Sequence, residues 1–325
     1  MRGLDSPTGE VPADWQPQRV DVEVWGGLGN RLFMLSAGFI LARRLRKPLR
    51  ILTHRAMPLA EIVGGLDTEA IFAAMPEPPE VAVLSKTRHP MATRAREKFR
   101  NLRGSAPLAP RERLNGGRIR CRAGQRAESL LVQGYFQSLH TTLSAVDLGW
   151  PRQVPMTPAD AEWARGVIDG ARPIGLHVRR GDYLQPINQR RLGGPTCSYY
   201  QAALDRLQFR QGDTTWLFSD DTASAHAFLA DSHLPISRAF GPADSPSEGA
   251  ALGLMASVPG LIVSNSTFAW WAAFWGAHRR GVVYPQPWHD RVDATSLPSP
   301  GWIPVPKNDG LKSNQFGQRH GEGAG

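Results

Sequence analysis

Four short apolar runs, at 174–178, 215–219, 260–263 and 281–284, are separated by stretches of helical periodicity at 199–209, 222–231 and 248–256, with a last helical stretch at 268–278. No other feature constrains the fold as strongly. Strands buried on both faces read as continuous apolar runs, and strands alternating with helices imply a parallel sheet covered on both sides. The same grammar opens the chain. Val20 to Trp25 alternates apolar and polar residues as a strand does, and Gly26-Gly27-Leu28-Gly29 permits a tight turn. A helical pattern then runs through Leu32, Leu35, Phe39 and Leu45. Ser129 to Gly134 is a further strand. Trp150 to Pro158, with three prolines, is the natural linker, and Thr157 is placed to cap a helix starting at Pro158. At 325 residues the chain exceeds one ordinary domain. The reading is therefore a flexible N-terminus (1–18), a first domain (19–150), a second (151–306) and a disordered polar tail (307–325).

In open α/β sheets ligands sit beyond the carboxyl ends of the strands. Three strand ends here carry polar clusters: His177-Val178-Arg179-Arg180-Gly181-Asp182-Tyr183, Phe218-Ser219-Asp220-Asp221 and Ser264-Asn265-Ser266-Thr267. Adjacent guanidinium groups at such a point suit an anion, because the fork of N–H donors matches phosphate oxygens. The glycine turn at 26–29 exposes backbone N–H groups at a helix N-terminus, which suits an anion or a sugar hydroxyl. A nicotinamide site is disfavoured, since the dinucleotide fingerprint wants glycine where Leu32 stands. The net charge of +9 and isoelectric point near 10.1 favour anionic partners without choosing among them. Much of the excess is arginine between Arg88 and Arg126, where a solvated face is the plain reading. Cys121 and Cys197 lack metal-ligand spacing, and no run approaches the ~18 apolar residues of a membrane span. A reducing, cytoplasmic setting follows, with contact at an acidic inner membrane surface left open by the charge.

Five segments in order resemble glycosyltransferase family 11, the α-1,2-fucosyltransferases, and more distantly the wider GDP-fucose-dependent superfamily. They are Gly26-Gly27-Leu28-Gly29-Asn30-Arg31-Leu32-Phe33, with Arg31 in place of the usual glutamine, Gly134-Tyr135-Phe136-Gln137-Ser138, the motif His177 to Tyr183, Phe218 to Asp221, and Ser264 to Trp271. Two departures stand out. The family usually carries an acidic residue followed by Leu before the last strand, whereas Ala251-Leu252 has none, and the stretch from Arg88 to Arg126 has no counterpart.

The resemblance implies a GT-B architecture, two Rossmann-like domains facing a central cleft, with GDP-fucose held mainly by the second domain. It implies no metal and no cofactor, and inverting transfer of fucose to the 2-hydroxyl of a terminal galactose on a bacterial surface glycan. Arg179 would stabilise the departing GDP, with Arg180 assisting or paired structurally to a carboxylate. Asp182 would take the acceptor proton, or else orient Arg179 or cap the next helix. Ser266 and Thr267 would meet the phosphates, Asp220-Asp221 (Asp221 above all) the ribose or base in preference to magnesium, and Asn30 the donor phosphate or the acceptor. His177 reads equally as a ligand contact or a buried structural imidazole. Trp270, Trp271 and Trp275 recur at helical spacing and read as core. Two other readings stay open: a fucosyltransferase with another acceptor, and a non-enzymatic anion or nucleic-acid binder using the 88–126 segment.

Overall fold

The computed structural model describes residues 17–84, 117–122, 129–232, 234–290 and 296–308. The first sheet holds β1 (Arg19–Glu23), β2 (Leu49–Thr53), β3 (Glu80–Val83), β4 (Gly117–Arg122) and β5 (Ser129–Gly134), in the order β3-β2-β1-β5-β4. All its pairings are parallel except β4 against β5. Helix α1 (Leu28–Leu45) follows β1, with short α2 (Leu59–Ile62), α3 (Thr68–Phe72) and α4 (Leu139–Asp147) completing this half.

Beyond the proline-rich stretch, α5 (Pro158–Ile168) starts with Thr157 as its cap, the hydroxyl accepting from the Asp160 N–H as expected. The second sheet is wholly parallel, in the order β11-β10-β9-β6-β7-β8. Its strands are β6 (Ile174–Val178), β7 (Thr215–Ser219), β8 (Ile236–Phe240), β9 (Gly260–Ile262), β10 (Gly281–Gln286) and β11 (Ile303–Pro306). Between them run α6 (Pro186–Leu192), α7 (Cys197–Arg206), α8 (Thr222–Leu229), α9 (Glu248–Ser257) and α10 (Thr267–Trp275). The α/β, GT-B-type pair of Rossmann-like sheets is thus the observed architecture. In each sheet the strand order reverses once, at β1/β5 and at β6/β9, and ligands favour such points.

One apolar core runs through both halves. Helix α1 is buried almost all round because the first sheet covers one side and α10 the other. Phe33 packs 4.8 Å from Trp270 and 4.9 Å from Trp271. The core reading of the tryptophans holds: Trp270, Trp271 and Trp275 are buried, and their indoles donate to the carbonyls of Leu297, Gly29 and Pro151. Buried indole N–H groups need such partners.

Several elements were absent from the sequence reading: β2, β3, β8 and β11, and β4, which lies inside the arginine-rich stretch. The remainder of 88–126, and with it the solvated-face and nucleic-acid readings, lies outside the described residues, as do 1–16 and 309–325. One correction falls at the proposed tail. Lys307 is fully buried, its ammonium 2.5 Å from Asp290 and 2.9 Å from the Leu192 carbonyl. A charge buried like this requires a partner, and the partner is fixed in the fold. Among the described residues no helix is long and apolar enough to cross a membrane.

Candidate active site

The strand ends at the β6/β9 reversal converge on a cavity of about 170 Å³. Its walls include His177, Arg179, Asp220, Phe240, Glu248 and Phe268. That volume is below the ~300 Å³ at which pockets for drug-sized ligands begin, so it suits one end of a nucleotide sugar. A larger recess of about 470 Å³, lined by Arg206, Arg210, Arg279 and Arg280, lies at the opposite ends of the strands and touches none of the motif residues.

Arg179 leaves β6 directly into the cavity wall. Its Nε and Nη2 donate to Asp182 at 3.0 and 2.6 Å, and Asp220 lies 3.3 Å away. The guanidinium stands 5.8 Å from the centre of the Tyr183 ring, whose hydroxyl donates to the Asn265 carbonyl at 2.7 Å. Burial opposes the charge on Arg179, but Asp220 and Asp182 outweigh it and raise the pKa above arginine's ordinary value. The result is a permanent cation held from two sides at the cavity edge. A Cβ at position 181 would lie 2.2 Å from the Asp220 carboxylate, so any larger residue there would displace that side chain from Arg179. Asp182 is half exposed and engaged with Arg179, the arrangement of its orienting role.

His177 is buried, with Nδ1 2.8 Å from the Ser264 hydroxyl. Burial, reinforced by the nearby Arg179 charge, lowers its pKa to about 3, so the ring is neutral at physiological pH. It lines the cavity and is locked in the sheet, which is the buried structural imidazole of the sequence reading.

Five expected residues stand elsewhere. Arg180 turns away: its guanidinium lies 4.5 Å over the Phe228 ring and donates to Ser224, and it has no carboxylate partner among the described residues. The structural pair expected for it is replaced by an aromatic and a hydroxyl. Asp221 caps α8, accepting from the Ser224 N–H at 2.9 Å, while its neighbour Asp220 faces the cavity and accepts the Arg180 N–H. Thr267 donates to Asn30 at 3.0 Å, and Asn30 also accepts from Gln137 at 2.9 Å. Those contacts join the glycine turn, the Gly134–Ser138 segment and the start of α10 into one seam. Ser266, buried at the N-cap of α10, makes no side-chain capping bond.

Sequence reasoning passed over Glu248 as the partner of Arg31, and of the pair Asp220-Asp221 it carried Asp221 into the site rather than Asp220. Arg31 is 7% exposed, its Nη2 lies 2.5 Å from Glu248 and its Nη1 donates to the Glu61 carbonyl at 3.0 Å. For Asp220 the available signal was adjacency to a strand end. For Glu248 it was a carboxylate one turn before the family's missing one. Among the described residues no cluster of three or more His, Cys, Asp or Glu could hold a metal ion.

Residues 165–303, which contain every wall of this cavity, match Glycosyl transferase family 11, so the resemblance read in the sequence holds over this span. Curated relatives include the O-antigen biosynthesis glycosyltransferase WbnK of Escherichia coli, 27% identical over 140 residues (42% of this chain, 46% of that protein). Another is an α-1,2-colitosyltransferase of Escherichia coli, 26% identical over 159 residues (46% and 52%). The matched segment spans about half the length of these relatives. Similar solved structures include fucosyltransferase NodZ from Bradyrhizobium (14% identity, TM-score 0.45, 80% of this chain and 93% of that one). Escherichia coli ADP-heptose heptosyltransferase II is another (14%, 0.41, 88% and 90%).

Proposed function

We propose that this chain, whose residues 165–303 carry the family 11 pattern, is an inverting glycosyltransferase that moves L-fucose from GDP-fucose to the 2-hydroxyl of a terminal galactose. A bacterial surface glycan would be the product. The observation that carries the reading is Arg179, fixed by Asp182 and Asp220 at the mouth of the cavity. Its donors are set before substrate arrives, which is what electrostatic catalysis requires.

In the reaction the acceptor oxygen attacks the anomeric carbon from the face opposite the phosphate. The bond from that carbon to the phosphate oxygen breaks, and GDP departs with the electron pair. Arg179 meets negative charge that exists only as that bond breaks, so it lowers the barrier rather than merely tightening binding. The hydroxyl proton passes to a base or to water, and Asp182, the carboxylate of the motif, is the candidate base. No metal is needed where a guanidinium supplies the positive charge. The names of the relatives support the coarser parts of the reading, one by O-antigen synthesis and the other by an α-1,2 linkage. The second name also keeps a donor sugar other than fucose as an alternative.

The test is incubation with GDP-fucose and a panel of galactosides, the product linkage being determined by NMR. An α-1,2-fucosylated product, with turnover lost about 10²–10³-fold in Arg179→Ala while the fold is retained, is the expected result. Full turnover in that variant would remove Arg179 from the mechanism. Transfer of a different sugar would select the alternative donor.

A further inference from the structure

Two departures from the family pattern, Arg31 in place of glutamine and the carboxylate missing at Ala251, meet in space. Glu248 stands one helical turn before Ala251 on α9, and both line the cavity. Arg31 crosses from the first half of the chain to bind one Glu248 oxygen at 2.5 Å. The first half also braces the helix start: the Gly249 N–H donates to the Gly64 carbonyl at 2.7 Å. Beside Glu248 the Ser245 hydroxyl oxygen is buried with no hydrogen-bond partner, and it lines the same cavity. Much of the remaining lining is apolar. Phe218 and Phe240 stack 5.3 Å apart at an interplanar angle of 18°, and Phe268, Met255 and Ala251 complete the lining.

An apolar surface against which a flat ring can lie, edged by a carboxylate and an unsatisfied hydroxyl, has the chemistry of a base-recognition site. We propose that Glu248 and Ser245 read the N–H edge of guanine, and that Arg31 is the positioning residue that holds Glu248 to that task. The inference rests on the donor being a guanine nucleotide, as argued above. Guanine carries adjacent donors at its ring N1 and exocyclic N2, and an ionised carboxylate only accepts. Adenine presents a lone pair at N1, so two acceptors would face each other with no proton between them. A site built to bond a particular group discriminates strongly against an analogue lacking it, because its own polar atoms are left unpaired. Arg31 makes the selectivity depend on both halves of the chain, since the residue that aims the carboxylate belongs to α1 in the first half.

The experiment is calorimetric titration of the full chain with GDP and ADP, for wild type, Glu248→Gln, Ser245→Ala and Arg31→Gln. Wild type should prefer GDP by at least ~100-fold. Glu248→Gln should lose ~10-fold or more of that ratio, mainly through weaker GDP binding. Arg31→Gln should lower the ratio by a smaller factor with the melting transition still cooperative, and raise KM for the donor more than it lowers kcat. An unchanged GDP-to-ADP ratio in Glu248→Gln, with GDP-fucose turnover intact in wild type, overturns this assignment and leaves the function standing. A wild-type chain that binds neither nucleotide overturns both.

Discussion

Gly29 offers the sharpest test of how the two halves are joined. It lies in the first turn of α1, where alanine should be preferred to glycine by up to ~1 kcal/mol on helix propensity alone. A Cβ at this position would sit 2.4 Å from the Thr267 carbonyl carbon and 2.5 Å from the Phe268 nitrogen, both backbone atoms. Ordinary contact begins near 3.4 Å, so the two chains must part by about 1 Å, from 2.4 to about 3.4. At that separation two seam bonds stretch beyond useful length, Trp271 Nε1 to the Gly29 carbonyl and Thr267 to Asn30, each now 3.0 Å. Overpacking of this kind costs ~1–3 kcal/mol and each buried group left unpaired another ~1–3 kcal/mol. Net of the helix-propensity gain of up to ~1 kcal/mol, Gly29→Ala should destabilise by ~2–8 kcal/mol. Urea unfolding monitored by tryptophan fluorescence measures it. Gly166→Ala is the control: the position lies within α5 with nothing within 4 Å, so the same substitution should stabilise by ~0.5–1 kcal/mol. If Gly29→Ala matched its control in sign, the close approach of α1 and α10 would not be a feature of the folded chain.

Asp182→Asn separates the two roles read for that carboxylate. As an exposed partner of Arg179 it contributes ~1 kcal/mol or less, so turnover should fall by ~5-fold at most, whereas loss of a general base would cost ~10²–10⁴-fold. The buried imidazoles of His177 and His289 predict a pH dependence of stability. Both pKa values are lowered to about 3, chiefly by burial and secondarily by Arg179 and Lys307 respectively. The unfolded chain takes up these protons near pH 6.5 and the folded chain only near 3. Their contribution is therefore complete above about pH 6.5 and is lost as pH falls toward 3, at up to ~1.4 kcal/mol per pH unit for each. Denaturation midpoints at pH 7 and pH 5 should differ accordingly, and His177→Asn should flatten the slope.

The second sheet was legible where burial on both faces left uninterrupted apolar runs, as in β6 and β7, which are buried at every position. Two of the strands passed over, β8 and β11, owe little to their own apolar signal. In β8 two central positions are exposed, and Arg238 is held over Trp216 and Phe240, each 5.0 Å away, so the run Ile-Ser-Arg-Ala-Phe carries little apolar signal. In β11 two prolines occupy a strand that pairs only with β10, an edge position where a missing N–H is tolerated. At the site, the paired arginines could be located but not told apart. The exit angle of β6 sends Arg179 toward Asp182 and Asp220 and Arg180 onto Phe228, and the same geometry exchanges Asp220 for Asp221. The Arg31–Glu248 pair joins positions 217 apart in the chain, and no local pattern announces it.

These assignments divide the conspicuous motifs into two kinds with different physical duties. Residues 179, 220 and 248 line the cavity and would meet ligand directly. Asn30, Gln137, Thr267 and the Trp271 indole bond chiefly to one another and to Gly29 across the seam. A residue whose hydrogen-bonding capacity is already used within the protein can act on a substrate only by giving up those bonds or by fixing the position of something else. The seam residues are arranged for the second. They set the distance between the two strand-order reversals, and the cavity wall that Arg31 contributes to through Glu248 exists only at that distance. A chain assembled this way needs short, strongly specified segments at the joint as much as at the chemistry, which is why the glycine turn and the Ser264–Thr267 segment are as recognisable in the sequence as the arginines they serve.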